Sequence, residues 1–179
     1  GLSNRRITDL VSDKHGKLWI ATDGGGLNYF DPATDEWKHF GYQPEFLNSL
    51  NSDALYDLMF DSSNNLWIGT FNGGINLHKT VFPPFVMDRQ YALERLEGLR
   101  SVLCLDQDKD GNVWMGTDGG GLFQLDVQKK PVKLVSIEKS SKHPTGLNVI
   151  TSLASLPDGN LWLGTFARGL YLYKPGAGI

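Results

Sequence analysis

The chain begins with a short stretch that alternates between apolar and polar residues, Ile7–Ser12, and this is followed by a nearly continuous apolar run, Leu18–Thr22. Two further short runs, Leu27–Phe30 and Glu36–Phe40, complete a group of four. Between them lie Lys14-His15-Gly16, Gly24-Gly25-Gly26 and Asp31-Pro32, residues that turn the chain. Short β-prone runs bounded by such clusters predict four strands, here called A to D, joined by three tight turns.

The same order recurs three more times. Leu55–Phe60, Leu66–Thr70, Ile75–His78 and Phe85–Met87 form the second group. Val102–Asp106, Val113–Thr117, Leu122–Leu125 and Val132–Val135 form the third, and Ile150–Leu153, Leu161–Thr165 and Leu170–Tyr173 the fourth. Each B strand carries one tryptophan, and Trp19, Trp67, Trp114 and Trp162 are spaced 48, 47 and 48 residues apart. A fixed period of this size marks a repeat architecture. An aliphatic residue sits twelve before each tryptophan (Ile7, Leu55, Val102, Ile150) and a leucine nine before (Leu10, Leu58, Leu105, Leu153). Thr22, Thr70, Thr117 and Thr165 lie three after, and Gly26, Gly74, Gly121 and Gly169 seven after.

Strand B is apolar on both faces, so both faces must be covered. A four-stranded meander with two buried faces, repeated in tandem, predicts an all-β chain of β-propeller blades. The expected blades span about 7–40, 55–87, 102–135 and 150–173, the fourth lacking its outer strand because that strand would begin past Ile179. The four tryptophans are read as wedges between blades, and the four recurring glycines as positions needing positive φ or close backbone approach.

The phrase D-x-x-G/N-N-L-W-I-G-T-x-x-G-G-L, as in Asp61–Ile75 and Asp108–Leu122, resembles the two-component regulator propeller repeat. The segment GYQPEFLNSLNSD ahead of the second unit is similar to that family's connector. Local departures are Asn64 at a turn glycine, Leu156-Pro157 for the usual Asp, and Ala167-Arg168 for Gly-Gly. The resemblance implies the periplasmic sensor region of a bacterial hybrid histidine kinase, or of a diguanylate cyclase. Such proteins carry seven or more blades, then an immunoglobulin-like domain, a membrane span and signalling domains. An open stack of four blades would leave an apolar face at each end. The expectation is therefore a piece of a larger ring, completed by remaining blades of the same chain. A second copy forming an eight-bladed ring, or four blades closing alone, are the alternatives.

Composition narrows the function classes. The net charge of −3, with no Lys or Arg run, argues against a nucleic-acid or anionic-membrane surface. Cys104 is the one cysteine, so no internal disulfide forms. No apolar stretch of about 18 residues is present, so this segment is not expected to cross a membrane.

Strand parity places the B–C turns and the D–A connectors (41–53, 88–100, 136–148) on one face of a blade and the A–B and C–D turns on the other. Tyr91–Gly98 reads as a helical turn ending at Gly98. The B–C turns read TDGGGL, TFNGGI, TDGGGL and TFARGL, presenting Asp23, Phe71, Asn72, Asp118, Phe166 and Arg168. Aromatic faces beside carboxylate, amide and guanidinium groups suit a polar ligand with apolar patches, such as an oligosaccharide. The alternative is that Phe71 and Phe166 pack between blades while Asp23 and Asp118 cap their own turns.

Other chemistry is sparse. Asp106–Gly111 matches the start of a calcium loop, but position twelve is Thr117 rather than a bidentate Glu, so a hairpin turn is expected and no metal. His15, His39, His78 and His143 fall on different elements, and Cys104 on an inner strand is expected to be buried. Glu45, Glu94, Glu97 and Glu138 lie in connectors, where propeller glycosidases would place a carboxylate pair. No catalytic residue or cofactor is assigned. The reading is a non-catalytic sensor module binding a small molecule or oligosaccharide. The alternatives are a propeller enzyme (glycoside hydrolase or lyase) and a protein-interaction scaffold.

Overall fold

The computed structural model describes residues 1–46, 48–79, 99–126, 132–135 and 147–179. Among them all regular structure is β. The chain divides into two compact units, Gly1–Ala92 and Leu93–Ile179. The first holds β1 (Ile7–Ser12), β2 (Leu18–Thr22), β3 (Gly26–Asp31) and β4 (Glu36–Phe40), then β5 (Leu55–Phe60), β6 (Leu66–Thr70) and β7 (Gly74–His78). The second holds β8 (Val102–Gln107), β9 (Val113–Thr117), β10 (Leu122–Leu125) and β11 (Val132–Val135), then β12 (Ile150–Ser155), β13 (Leu161–Thr165) and β14 (Gly169–Tyr173). Each unit is thus a four-stranded antiparallel meander followed by a three-stranded one, ordered in space as in sequence. These are propeller blades. The Phe85–Met87 strand and the Tyr91–Gly98 helical turn lie outside the described residues.

One feature of the repeat finds its reason in the register. Aliphatic residues twelve and nine before each tryptophan are three apart, and three is odd, so a regular strand would point them to opposite faces. Every A strand carries a bulge between those positions: Ile7/Asp9, Leu55/Asp57, Val102/Cys104 and Ile150/Ser152. Ile7 consequently pairs with Thr22 and Leu10 with Ile20, which are two apart on β2 and share a face. The extra residue lets both aliphatics reach the same core.

Within the first unit, Trp19 packs into a buried cluster with Leu27 of its own sheet and with Leu55, Leu58, Leu66 and Ile68 of the second. Its ring lies 5.3 Å from that of His78 on β7. Within the second unit Trp114 does the same with Ile150, Leu161, Leu163 and Tyr173, the last at 5.9 Å between ring centres. Hydrogen bonds cross each seam, in both cases using the carbonyl twelve before the second tryptophan. Thr8 Oγ1 donates to the Leu55 carbonyl (2.9 Å) and Leu58 N–H to Asp9 (2.8 Å). In the second unit Cys104 Sγ faces the Ile150 carbonyl (3.5 Å) and Ser155 N–H donates to Asp106. Cys104 is buried.

The indole N–H needs a partner once the ring is buried. Trp67 Nε1 donates to Asp61 Oδ2 (2.9 Å) and Trp114 Nε1 to Asp108 Oδ2 (2.8 Å). Each aspartate, six residues ahead, also takes the backbone and side-chain N–H of the asparagine two before the tryptophan: Asn65 (2.8 and 2.9 Å) and Asn112 (2.9 Å each). In the first blade Lys17 replaces that asparagine and pairs with Asp31 instead. Trp19 Nε1 is left buried without a partner. In the fourth, Leu156 stands where the aspartate would be.

Trp162 departs from the wedge expectation: it is 37% exposed. No sheet follows the fourth among the described residues, so nothing receives the ring. Trp114→Ala should therefore cost about 3–5 kcal/mol of unfolding free energy, as for a buried large-to-small change. Trp162→Ala should cost well under half of that. Urea titrations of the two variants, followed by fluorescence, check the difference.

Candidate functional site

The four B–C turns share one backbone construction. The threonine hydroxyl three after each tryptophan donates to the carbonyl of the glycine seven after: Thr22 to Gly26 (2.8 Å), Thr70 to Gly74 (3.0 Å), Thr117 to Gly121 (2.9 Å) and Thr165 to Gly169 (2.8 Å). All four glycines have positive φ, from 72° to 86°. At Gly26 a Cβ would stand 2.3 Å from the Phe40 carbonyl oxygen, so no other residue fits there.

The turn tips are tied to the start of the A strands. The N–H four after each tryptophan donates to the residue preceding its own A strand: Asp23 to Arg6, Phe71 to Ala54, Asp118 to Ser101 and Phe166 to Val149 (2.9–3.0 Å). Within each unit the first turn also grips the entrance to the second sheet. Gly24 and Gly26 N–H donate to the Asp53 carbonyl, and Gly119 and Gly121 N–H to that of Asn148. Asp23 forms a β-bridge with Ala54, and Asp118 with Val149. Adjacent turns therefore meet at one residue in each unit.

This geometry gathers the expected site residues into two groups. In the first unit Asp23 and Phe71 meet at Ala54, with Asn72 next along the chain; in the second Asp118 and Phe166 meet at Val149, with Arg168 two residues further on. Of the aromatics, Phe71 is 42% exposed, touching Tyr56 edge-on at 6.1 Å, and Phe166, on the fourth sheet that no further described sheet covers, is 70% exposed. Asp23 does not cap its own turn; its carboxylate pairs with Arg6 at 2.9 Å. The capping groups are the threonines, whose fixed spacing from the glycines was the available signal. In the first unit's connector a Tyr42–Leu50 bridge and the Ser49 hydroxyl, which accepts the Gln43 N–H and lies within donating distance of the Gln43, Phe46 and Leu50 carbonyls, fix the loop, and Tyr42 and Phe46 are exposed. Glu45 lies in this connector, whereas Glu94, Glu97, Glu138 and His143 fall outside the described residues. Asp108 of the calcium-like run closes its turn by accepting Asp110 N–H (3.0 Å), and Gly111 has φ 84°.

Comparison with known proteins adds the family. The model of the two component regulator propeller matches residues 1–24, 49–72, 97–119 and 146–167, just over half of the chain. The chain belongs to the two component regulator propeller family. Each match of this propeller repeat runs from the connector through strands A and B to the B–C turn, the stretch whose hydrogen bonds are described above. No curated protein matches the chain.

Among solved structures, the extracellular domain of the hybrid two component system BT3049 from B. thetaiotaomicron is similar, with a TM-score of 0.82 at 23% identity. The match covers 100% of this chain and 23% of that one. The extracellular domain of the hybrid system BT4673 from the same organism matches at 26% identity and a TM-score of 0.76, over 99% and 24% of the two chains. This propeller segment thus spans about a quarter of those relatives. A streptogramin B lyase shares the fold alone, at 15% identity and a TM-score of 0.62, over 97% of this chain and 56% of that one. No helix among the described residues is long and apolar enough to cross a membrane.

Five after each tryptophan the chain is left-handed whatever the residue: Gly24 (φ 91°), Asn72 (59°), Gly119 (93°) and Ala167 (60°). Ala167→Gly should raise stability by up to about 1 kcal/mol, whereas Gly119→Ala, with open space around its Cβ position, should lower it by about the same. Opposite shifts in thermal midpoint check the pair. In the second blade Asn51 bonds Asn76 reciprocally, N–H to Oδ1 (3.2 Å) and Oδ1 from Nδ2 (2.8 Å). In the first, Ser3 N–H reaches Asn28 Oδ1 (2.9 Å) but Asn28 Nδ2 is buried without a partner. Ser3→Asn should complete the pair and add about 1 kcal/mol, read by denaturant unfolding.

Proposed function

We propose that the chain is a non-catalytic sensing segment of a bacterial two-component protein, lying in the periplasm and recognising a small polar molecule such as an oligosaccharide. Its signal passes to a downstream histidine kinase in the rest of the protein. Family membership supports the sensor role. The observation that carries the site is the contrast within the B–C turns. Their backbones are tied down by the same hydrogen bonds in all four blades, while the side chains at their tips differ and point outward. Rigid loops with variable, exposed tips are how scaffolds present binding groups. Phe71 and Phe166 offer ring faces, and Asp23, Asn72, Asp118 and Arg168 offer polar groups.

The uncovered faces of the first and fourth sheets fit a segment completed by further blades of the same protein. Ile7 and Leu10 are 47% and 57% exposed, whereas their counterparts Leu55 and Leu58 are buried against Trp19. Ile7 and Leu10 thus have the composition of a surface that receives a tryptophan, and Trp162 that of a tryptophan awaiting such a surface. A further blade at each end would cover both. A second copy of the chain would bring the same surfaces together.

The test is titration of the full sensor region with a panel of neutral and acidic oligosaccharides, followed by thermal shift and calorimetry. Phe71→Ala and Phe166→Ala should each weaken binding roughly two- to tenfold with little change in stability, since both rings are exposed and an aromatic contact is worth about 0.5–1.5 kcal/mol. A complete absence of binding across the panel, or binding indifferent to both changes, would count against this face.

A further inference from the structure

The second unit has a cleft of about 550 Å³ between its two sheets, at the end bearing the A–B turns. This is the end of the strands opposite the B–C turns, so the cleft is separate from the face considered above. Its floor is Trp114 and Tyr173, its wall includes Gln124 and Val135, and its rim carries Asp110 and Asp158. The repeat explains why the space exists. In the first unit Phe40 stacks on Trp19 at 5.9 Å and Tyr29 meets it edge-on at 5.1 Å. The equivalent register positions beside Trp114 hold Val135 and Gln124. Two large rings are replaced by a smaller aliphatic group and an amide.

The lining is rich in acceptors. Tyr173 is only 5% exposed, yet no group among the described residues hydrogen-bonds its hydroxyl. Burial raises the phenol's pKa, so it stays protonated and neutral at the cleft floor. The Asp158 carboxylate takes both N–H groups of Asn160 (3.0 and 2.7 Å), and Asp110 shares the rim. At the corresponding positions the first unit has His15 and Ser63, so the acidic rim belongs to this seam. Lys109 reaches across to Gly159, its Nζ lying 3.8 Å from where a Cβ would stand. The chain thus already lays one flexible cation across the mouth.

We propose that this cleft binds a small organic cation, an ammonium or guanidinium group on an alkyl stem, with Asp110 and Asp158 neutralising the charge, Tyr173 accepting an N–H and the stem lying on Trp114 and Val135. The charged group is carried either by a free amine or by a Lys or Arg side chain of a peptide. Lys109 acts as a weak competitor that an incoming cation displaces.

The experiment is calorimetric titration of the 179-residue chain with 1,5-diaminopentane and with an end-blocked Gly-Lys-Gly peptide; 1,5-pentanediol serves as the neutral control. Saturable binding of either cation, absent for the diol and weakened by salt, is the expected result. Tighter binding of the diamine or of the peptide tells which source the site prefers. Asp110→Asn with Asp158→Asn should weaken the better ligand roughly tenfold or more, as loss of charge-assisted contacts does. Val135→Phe, which copies Phe40, should close the cleft, and Lys109→Gln should tighten binding several-fold. Saturation by neither cation would overturn the proposal, as would binding that the double aspartate variant and Val135→Phe both leave unchanged.

Discussion

Burying an indole between two sheets sets two demands, and most of the repeat answers them. The ring must meet apolar surface on the next sheet, which is why residues twelve and nine before each tryptophan are aliphatic and why a bulge separates them. The N–H must find an acceptor in a place without water, because an unmade hydrogen bond there costs about 1–3 kcal/mol. Asp61 and Asp108 meet that demand while also folding the A–B turn through Asn65 and Asn112. One carboxylate thus couples hairpin geometry to inter-sheet packing. Where the aspartate's companion changes, as at Lys17, the indole is left unpaired.

The B–C turns separate backbone from side chain in a way that bears on function. Threonine, the left-handed residue and glycine hold the path, so substitutions at the tip are free to vary as long as they tolerate the local φ. Asn72 and Ala167 show the range: both adopt the left-handed conformation that glycine takes in the other two turns. Asparagine tolerates it through its short polar side chain, and alanine has no such help. The variable tips sit on a frame whose position does not depend on them. That is the condition for changing specificity without refolding the scaffold.

The strands, their order and the tryptophan period were legible because alternation and turn clusters are local signals. The role of the threonine–glycine pair was legible only as a spacing; its hydrogen bond needs three dimensions. The aspartate six before the tryptophan stood in the repeat phrase, but nothing in one dimension shows that a side chain at that distance doubles back to the indole. Trp162 illustrates the reverse case. Its sequence context is that of the other three, yet its environment is set by a neighbouring sheet that the local sequence does not encode. Likewise Phe71 and Phe166 are hydrophobic residues in turns, and hydrophobicity alone could not distinguish an inter-blade plug from an exposed ring. The cleft of the second unit was not legible at all. It arises from the absence of bulk at Gln124 and Val135, and that absence has meaning only beside the rings of Tyr29 and Phe40.

That comparison between units is informative because the repeat acts as its own control. Where two seams share the tryptophan, the bulge and the strand order, any difference between them falls on residues the fold does not constrain. At the first seam those residues add aromatic contacts around Trp19, and the space beside it is filled. At the second they leave room, place acceptors around it and give the Tyr173 hydroxyl no hydrogen-bond partner among the described residues. A structural role alone would favour filling that space, since a gap beside a tryptophan forfeits packing contacts and lowers stability. The second seam gives up those contacts where the first, with Tyr29 and Phe40 against Trp19, does not, which is the pattern expected when a site has to admit something from solution.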